Sequence, residues 1–178
     1  TNTMFMWTRT VTKSYDGMAK GRRYSYDLDD VEGIRENVSD LRFISPRNQL
    51  GGFRGTNNVT RGLNVGAFNV YGDYPEIIKQ EPMNITSGRF INYADINEKR
   101  KVAVIGEGVV TSLYEKGEIA IGTYIKIQGV NFMVVGTYKK KKSGGDGEED
   151  QSQIFVPFTA FSQAFNRGDK VGWMAITA

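Results

Sequence analysis

The residues whose types and spacing come nearest to a recognisable chemistry are Val102-Ala-Val-Ile-Gly-Glu-Gly-Val-Val-Thr111. An apolar run there passes through G-x-G into a helix-like segment. That is half of a dinucleotide-binding fingerprint, in which backbone N–H groups at the turn face a pyrophosphate. Two features count against it. The third glycine position is Thr111, whose side chain would obstruct close helix–strand packing. The next β-rich run ends at Gln128, with no Asp or Glu near its end to hold a ribose hydroxyl. The stretch is therefore read as a plain β-α turn, and a nucleotide-dependent enzyme using Gly106 and Gly108 is kept as an alternative. The sequence has no G-x-x-x-x-G-K-[ST] loop.

Other chemistries are thinly supplied. The chain has no cysteine and no histidine, which removes Cys/His zinc sites, cysteine nucleophiles and Ser-His-Asp triads. Asp29/Asp30 fall at a helix start and Glu148/Glu149 in a polar insert, so neither pair sits in the rigid, dry setting that acid–base catalysis needs. No active site and no cofactor are expected. Net charge is a mild +3, and much of the excess is read in Lys139-Lys-Lys-Lys142, too local for a nucleic-acid reader. That run opens a Gly/Ser-rich insert and is answered by Glu148-Glu-Asp150. The bland reading is a solvated hairpin tip. The functional reading makes Lys139, Lys140, Lys141 and Lys142 a contact for a partner protein.

The elements that would position these residues are densest between Lys101 and Pro157. A compact apolar strand, Val102–Gly106, is followed by a helix over 107–116 stopped at Gly117. Ile125 and Ile127 alternate with Lys126 and Gln128, as in a half-buried strand. A tight turn through Gly129-Val130-Asn131 leads to a second strand, Phe132–Tyr138, and Ile154-Phe-Val-Pro157 supplies a third. Upstream, Thr3–Thr8 reads as a strand with apolar residues on both faces, hence as one covered on both sides: a central strand of a small sheet, with a strand near a membrane surface as the alternative. Residues 27–37 read as a helix with Asp29 and Glu32 as a capping box and an apolar stripe of Leu28, Val31, Ile34 and Val38. A strand at Leu41–Ser45 completes a β-α-β opening. Residues 46–72 read as a glycine-turned antiparallel meander, with Val59, Arg61 and Leu63 on one face and a strand at Ala67–Tyr71. Pro75 is placed at the first position of a short helix. Phe158–Phe165 reads as an amphipathic helix and Trp173–Thr177 as the last strand.

The order and spacing of several of these segments resemble the extracytoplasmic core domain of MacB-type ABC transporter permeases, a family that includes the lipoprotein-release permeases. The matching residues are Ser87-Gly-Arg-Phe90 with Asp95 following, Val102–Gly106, Ile121-Gly122 ahead of Ile125–Ile127, Val130-Asn-Phe132, Val134-Val-Gly136 and Ile154–Pro157. The resemblance implies an α+β fold in two parts. Residues 1–49 and 156–178 would form a membrane-proximal β-α-β layer, truncated at its C-terminal end, and residues 50–155 an inserted β-rich subdomain containing a short helix. It also implies a periplasmic location and flanking transmembrane helices. The implied partners are a cytoplasmic ATPase subunit or domain, a periplasmic adaptor protein, and a second copy in a homodimeric transporter of macrolides, peptides or lipoproteins. No run of eighteen apolar residues occurs within the chain, and Thr1 is not a start residue, so an excised loop of a longer protein is expected. The rivals are a sensing or regulatory domain of a related permease and a free-standing adhesive β protein.

Overall fold

The computed structural model describes residues 3–51, 56–140 and 151–178. Its centre is β8 (Val102–Gly106) and β11 (Gln153–Pro157), which pair antiparallel. From Val102 to Ile105 and from Ile154 to Pro157 the two strands are apolar on both faces, because both faces are covered. Ala103, Ile105, Ile154 and Val156 enter one core, while Val104 and Phe155 enter the other. Strict alternation is absent from the sequence here for that reason.

Around this centre an 11-stranded sheet is assembled among the described residues. β10 (Val130–Lys139) pairs parallel with β8 and antiparallel with β9 (Tyr124–Ile127) and β7 (Asn84–Gly88). β9 continues to the hairpin of β4 (Val59–Arg61) and β5 (Asn64–Gly66). On the other side β11 pairs parallel with β6 (Asn69–Asp73), and β6 pairs antiparallel with β3 (Phe43–Leu50). β13 (Trp173–Thr177) then lies between β3 and β1 (Thr3–Trp7), antiparallel to both. β1, α1 (Leu28–Asn37) and β3 thus make a split β-α-β unit with β13 in the gap. A small separate pair joins β2 (Tyr26–Asp27) to β12 (Lys170–Val171).

The helices cover the two faces. α4 (Glu107–Leu113) places Val109 and Leu113 in the first core, and α5 (Phe158–Ala164) adds Ala160 and Phe161. α1 gives Val31 to the second core and α3 (Tyr93–Asn97) gives Ile96, beside Phe158 of α5. Each fully buried Phe or Ile contributes about 1.5–3 kcal/mol relative to exposure.

The mixed α+β class agrees with expectation; several local readings do not. β1 is an edge strand with Met4, Phe5 and Trp7 all well exposed, not a central strand. The capping box of α1 is Asp27 with Asp30, reciprocal at 3.0 Å each way, two residues earlier than Asp29 and Glu32. Val38 lies outside the helix, extended and exposed, so the apolar stripe ends at Ile34. The β9–β10 turn is Gln128-Gly129, both at positive φ (46° and 82°), a two-residue type I′ geometry. Leu63 sits fully exposed at the β4–β5 tip, away from buried Val59. Pro75 precedes α2 (Ile77–Gln80), whose N-cap is Glu76.

Candidate functional site

β3 carries the feature that sets this sheet apart. From Phe43 to Arg47 it pairs with β13; from Asn48 to Leu50 it pairs with β6. Pro46 is tolerated in a long strand because only one side is laddered at that point. Where the strand changes partner, its side chains turn polar and stay buried: Ser45, Arg47 and Asn48. Asn48 ties the crossing to β12, its Nδ2 donating to the Lys170 carbonyl at 2.8 Å and its Oδ1 accepting from Gly172 N–H at 2.9 Å.

Arg47 is the hub. Its side chain is 4% exposed and Asp73 is 0%. Nε and Nη2 donate to the two carboxylate oxygens of Asp73 at 2.7 and 2.8 Å, a bidentate fork, while Nη1 donates to Glu81 Oε1 at 2.7 Å. The guanidinium carbon stands 4.1 Å from the centre of the Tyr71 ring. Lys140 Nζ closes the network with Gln153 Oε1 at 3.1 Å and Glu81 Oε2 at 3.4 Å, and Gln151 Nε2 donates to the Lys140 carbonyl at 2.8 Å. Burial alone would lower the Arg47 pKa, but the Asp73 charge and hydrogen bonds outweigh it, so the guanidinium is held more firmly charged than in water. Burial raises the Asp73 carboxyl above the usual range against the pull of Arg47. Two cations therefore face two carboxylates between the middle of β3, the end of β6 and the residues just past β10 and α2. This is a charge-balanced joint, with no nucleophile activated by a base and no open coordination position.

A second ion cluster holds the segment after β7. Arg89 clamps Asp95 with Nη1 to Oδ2 at 2.6 Å and Nη2 to Oδ1 at 3.0 Å, and Arg100 Nη1 approaches Oδ1 at 3.6 Å. Asp95 also caps α3 reciprocally with Asn92 at 3.0 Å each way. Burial pushes the Asp95 carboxyl up, yet the Arg89 hydrogen bonds, the Asn92 backbone and the two guanidinium charges together hold it below the usual range.

The glycines that drew attention in the sequence serve packing. A Cβ on Gly106 would lie 2.0 Å from the Gln151 carbonyl oxygen, and one on Gly108 2.6 Å from Ser152 Oγ. The space a pyrophosphate would need is filled by the chain entering β11. Gly136 and Gly88 behave alike: added Cβ atoms would meet the Arg89 and Val135 carbonyl oxygens at 2.0 and 2.1 Å. Of the lysine run, Lys139 is exposed at the end of β10, Lys140 belongs to the joint, and 141–142 lie outside the described residues with most of the insert. Sequence reasoning missed Arg47, because its partners Asp73 and Glu81 stand 26 and 34 residues away and no local pattern joins them. Among the described residues no group of His, Cys, Asp and Glu is arranged to hold a metal ion, and no helix is long and apolar enough to cross a membrane.

Comparison with known proteins agrees with this architecture. Over 99% of the chain the backbone superposes on the periplasmic region of MacB from Actinobacillus actinomycetemcomitans with a TM-score of 0.73 at 16% identity, covering 74% of that chain. Over 86% it matches the extracellular domain of the noncanonic ABC-type transporter YknZ from Gram-positive bacteria, at 0.71 and 14% identity, covering 73% of that chain. In sequence it is 29% identical over 150 residues, 83% of its length, to the macrolide export ATP-binding/permease protein MacB of Bdellovibrio bacteriovorus, and covers 22% of that protein. It is 30% identical over 137 residues, 76% of its length, to the pyoverdine export ATP-binding/permease protein PvdT of Pseudomonas entomophila, covering 20% of that protein. The chain thus spans about a fifth of the curated relatives it matches. The family model for the MacB-like periplasmic core domain matches residues 1–178, and the chain belongs to that family of ABC transporter permease domains.

Proposed function

We propose that the chain is a passive relay in an ABC transporter permease. ATP hydrolysis in a cytoplasmic subunit or domain moves the flanking transmembrane helices. This domain, as a periplasmic part of one half of a homodimeric transporter, carries the motion outward to an adaptor protein or to the substrate. The β1–β13–β3 layer corresponds to the membrane-proximal part and the sheet beyond β6 to the distal part. The carrying observation is the crossing in β3: one strand shared by both parts, locked at its change of partner by Arg47, Asp73, Glu81 and Lys140. A displacement applied to the first part is then transmitted without slippage. The names of the relatives, macrolide and pyoverdine export proteins, support an exported cargo. For the partner contact at the lysine run, Lys139 is the described residue available on the surface, since Lys140 is engaged inside.

The test uses the full-length transporter in cells and in proteoliposomes. E81Q and K140Q loosen the joint while leaving the Arg47–Asp73 fork intact. Macrolide efflux should fall several-fold with ATP hydrolysis per transporter preserved. Efflux unchanged, or efflux and hydrolysis falling together, would overturn the relay.

A further inference from the structure

β1 ends the sheet path, and the chain that follows it runs out as an arm and returns. Thr10 and Arg23 bridge antiparallel, Val11 N–H donates to the Arg22 carbonyl at 2.9 Å and Gly21 N–H to that of Val11 at 2.7 Å, and Tyr15 bridges Met18 at the tip. Pairing of Thr10 with Arg23 sets Arg9 opposite Tyr24, and strand alternation then puts Phe5, Trp7 and Arg9 on one face with Tyr24 and Tyr26. These side chains line a groove of about 510 Å³. Tyr24 is fixed in it, perpendicular to Tyr26 at 5.9 Å between ring centres, with its hydroxyl donating to the Asp30 carboxylate at 2.7 Å. Phe5 and Trp7 are 46% and 56% exposed, and Tyr15 at the tip 75%. The arm is also strongly basic. Within residues 9–23 the cations Arg9, Lys13, Lys20, Arg22 and Arg23 stand against one carboxylate, Asp16, an excess larger than the +3 of the whole chain.

We propose that this aromatic and basic face docks on an anionic lipid surface. Trp and Tyr rings settle at the headgroup level, and Lys and Arg beside them are drawn to anionic headgroups, each strengthening binding about fivefold. An acidic protein partner would answer the cations but leave Phe5, Trp7, Tyr15 and Met18 unaccounted for. A second copy joined through β1 would bring two positively charged arms together. Membership in a permease family puts a bilayer within reach; the inference rests on that membership and not on the relay.

The 178-residue chain is mixed with vesicles of phosphatidylcholine alone or with about a third phosphatidylglycerol, and binding is read by sedimentation. Binding is expected to the anionic vesicles only, and to weaken at least tenfold between about 0.1 M and 0.5 M salt. R9E/R22E/R23E should weaken it about a hundredfold or more, and Y15S/M18S, both at exposed tip positions, several-fold. Brominated lipid should quench tryptophan emission in the parent and far less in W7F, an aromatic exchange at an exposed position. K139E should bind as the parent does. Equal binding to both vesicles, binding without Trp7 quenching, or no effect of the triple reversal would overturn the inference. So would polyglutamate binding as tightly as the anionic vesicles, or a dimer in sedimentation velocity that shields Trp7. The vesicle assay involves no transport, so its failure and failure of the relay are read separately.

Discussion

At the residue scale the informative positions are those where one side chain, or its lack, closes a space. Arg47 is buried, and each of its three nitrogens reaches a carboxylate oxygen. Truncating it strands the fully buried Asp73 carboxylate without its partner, and removal of one partner from a buried pair costs about 3–5 kcal/mol. Glu81 is 19% exposed, so water can take over part of its role, and E81A should cost about 1 kcal/mol. Urea denaturation of R47A and E81A is expected to show that ordering, and equal losses would mean the fork is not the hub. Gly106 makes the complementary case. Its φ of −71° is open to any residue, so strain is not the issue; the Gln151 carbonyl 2.0 Å from an added Cβ is. G106A should lose about 1–3 kcal/mol by overpacking, read as a lowered Tm. In the sequence Gly106 stands in half of a dinucleotide fingerprint and is read as a plain β-α turn. A G-x-G between strand and helix reports close approach by some backbone or ligand, and nothing local says which.

Elements show more clearly what was legible. Strands and helices with a strong apolar pattern, β8, β9, α5 and β13, are found where expected, because burial of one face or two dictates them. Boundaries set by single hydrogen bonds were harder. Asp27, Asp29 and Asp30 can all cap, and the choice of Asp27 is made by β2, which pairs with β12 and ends at that residue. The β9–β10 turn falls one residue before the one the sequence predicts because Gln128, a residue that seldom takes positive φ, does so here. Type I′ turns favour Asn at that position, so Q128N should raise stability by a few tenths of a kcal/mol, a small rise in Tm on thermal unfolding. At α3 the question is pH. The folded pKa of Asp95 lies below its ordinary value of about 3.9. Its stabilisation is therefore complete above that value and is lost as pH falls through it toward the folded pKa. D95N should destabilise by about 1–3 kcal/mol at neutral pH, and the gap between parent and D95N should narrow below about pH 4. A gap constant down to pH 3 would mean that the Arg89 clamp contributes through shape alone.

The whole molecule raises the question of how many cooperative units it contains. The resemblance divides the chain at 49/50 and 155/156, and the relay needs those parts to move together. β3 passes across the first boundary and β11 across the second, running directly into α5, without a loop at either. The cores lie on opposite faces of the sheet and share β8 and β11, so each is built on the same strands. Melting the distal part would expose Val70, Ile154 and Val156 and also uncover Tyr71 and Phe155, which pack against Trp173 and Phe90 on the other face. Fully burying each such aliphatic or Phe side chain is worth about 1.5–3 kcal/mol, so separate melting of either part sacrifices contacts in both. One transition is expected. Trp7 and Trp173 both stand in the β1–β13–β3 layer, so tryptophan emission reports that layer while far-UV circular dichroism reports all strands. The two urea curves should coincide within error for the parent. For R47A, which opens the crossing, they should separate, the tryptophan signal moving at a different midpoint. Separation in the parent would instead make the β3 crossing a hinge, and the relay would then bend where it has to be stiff.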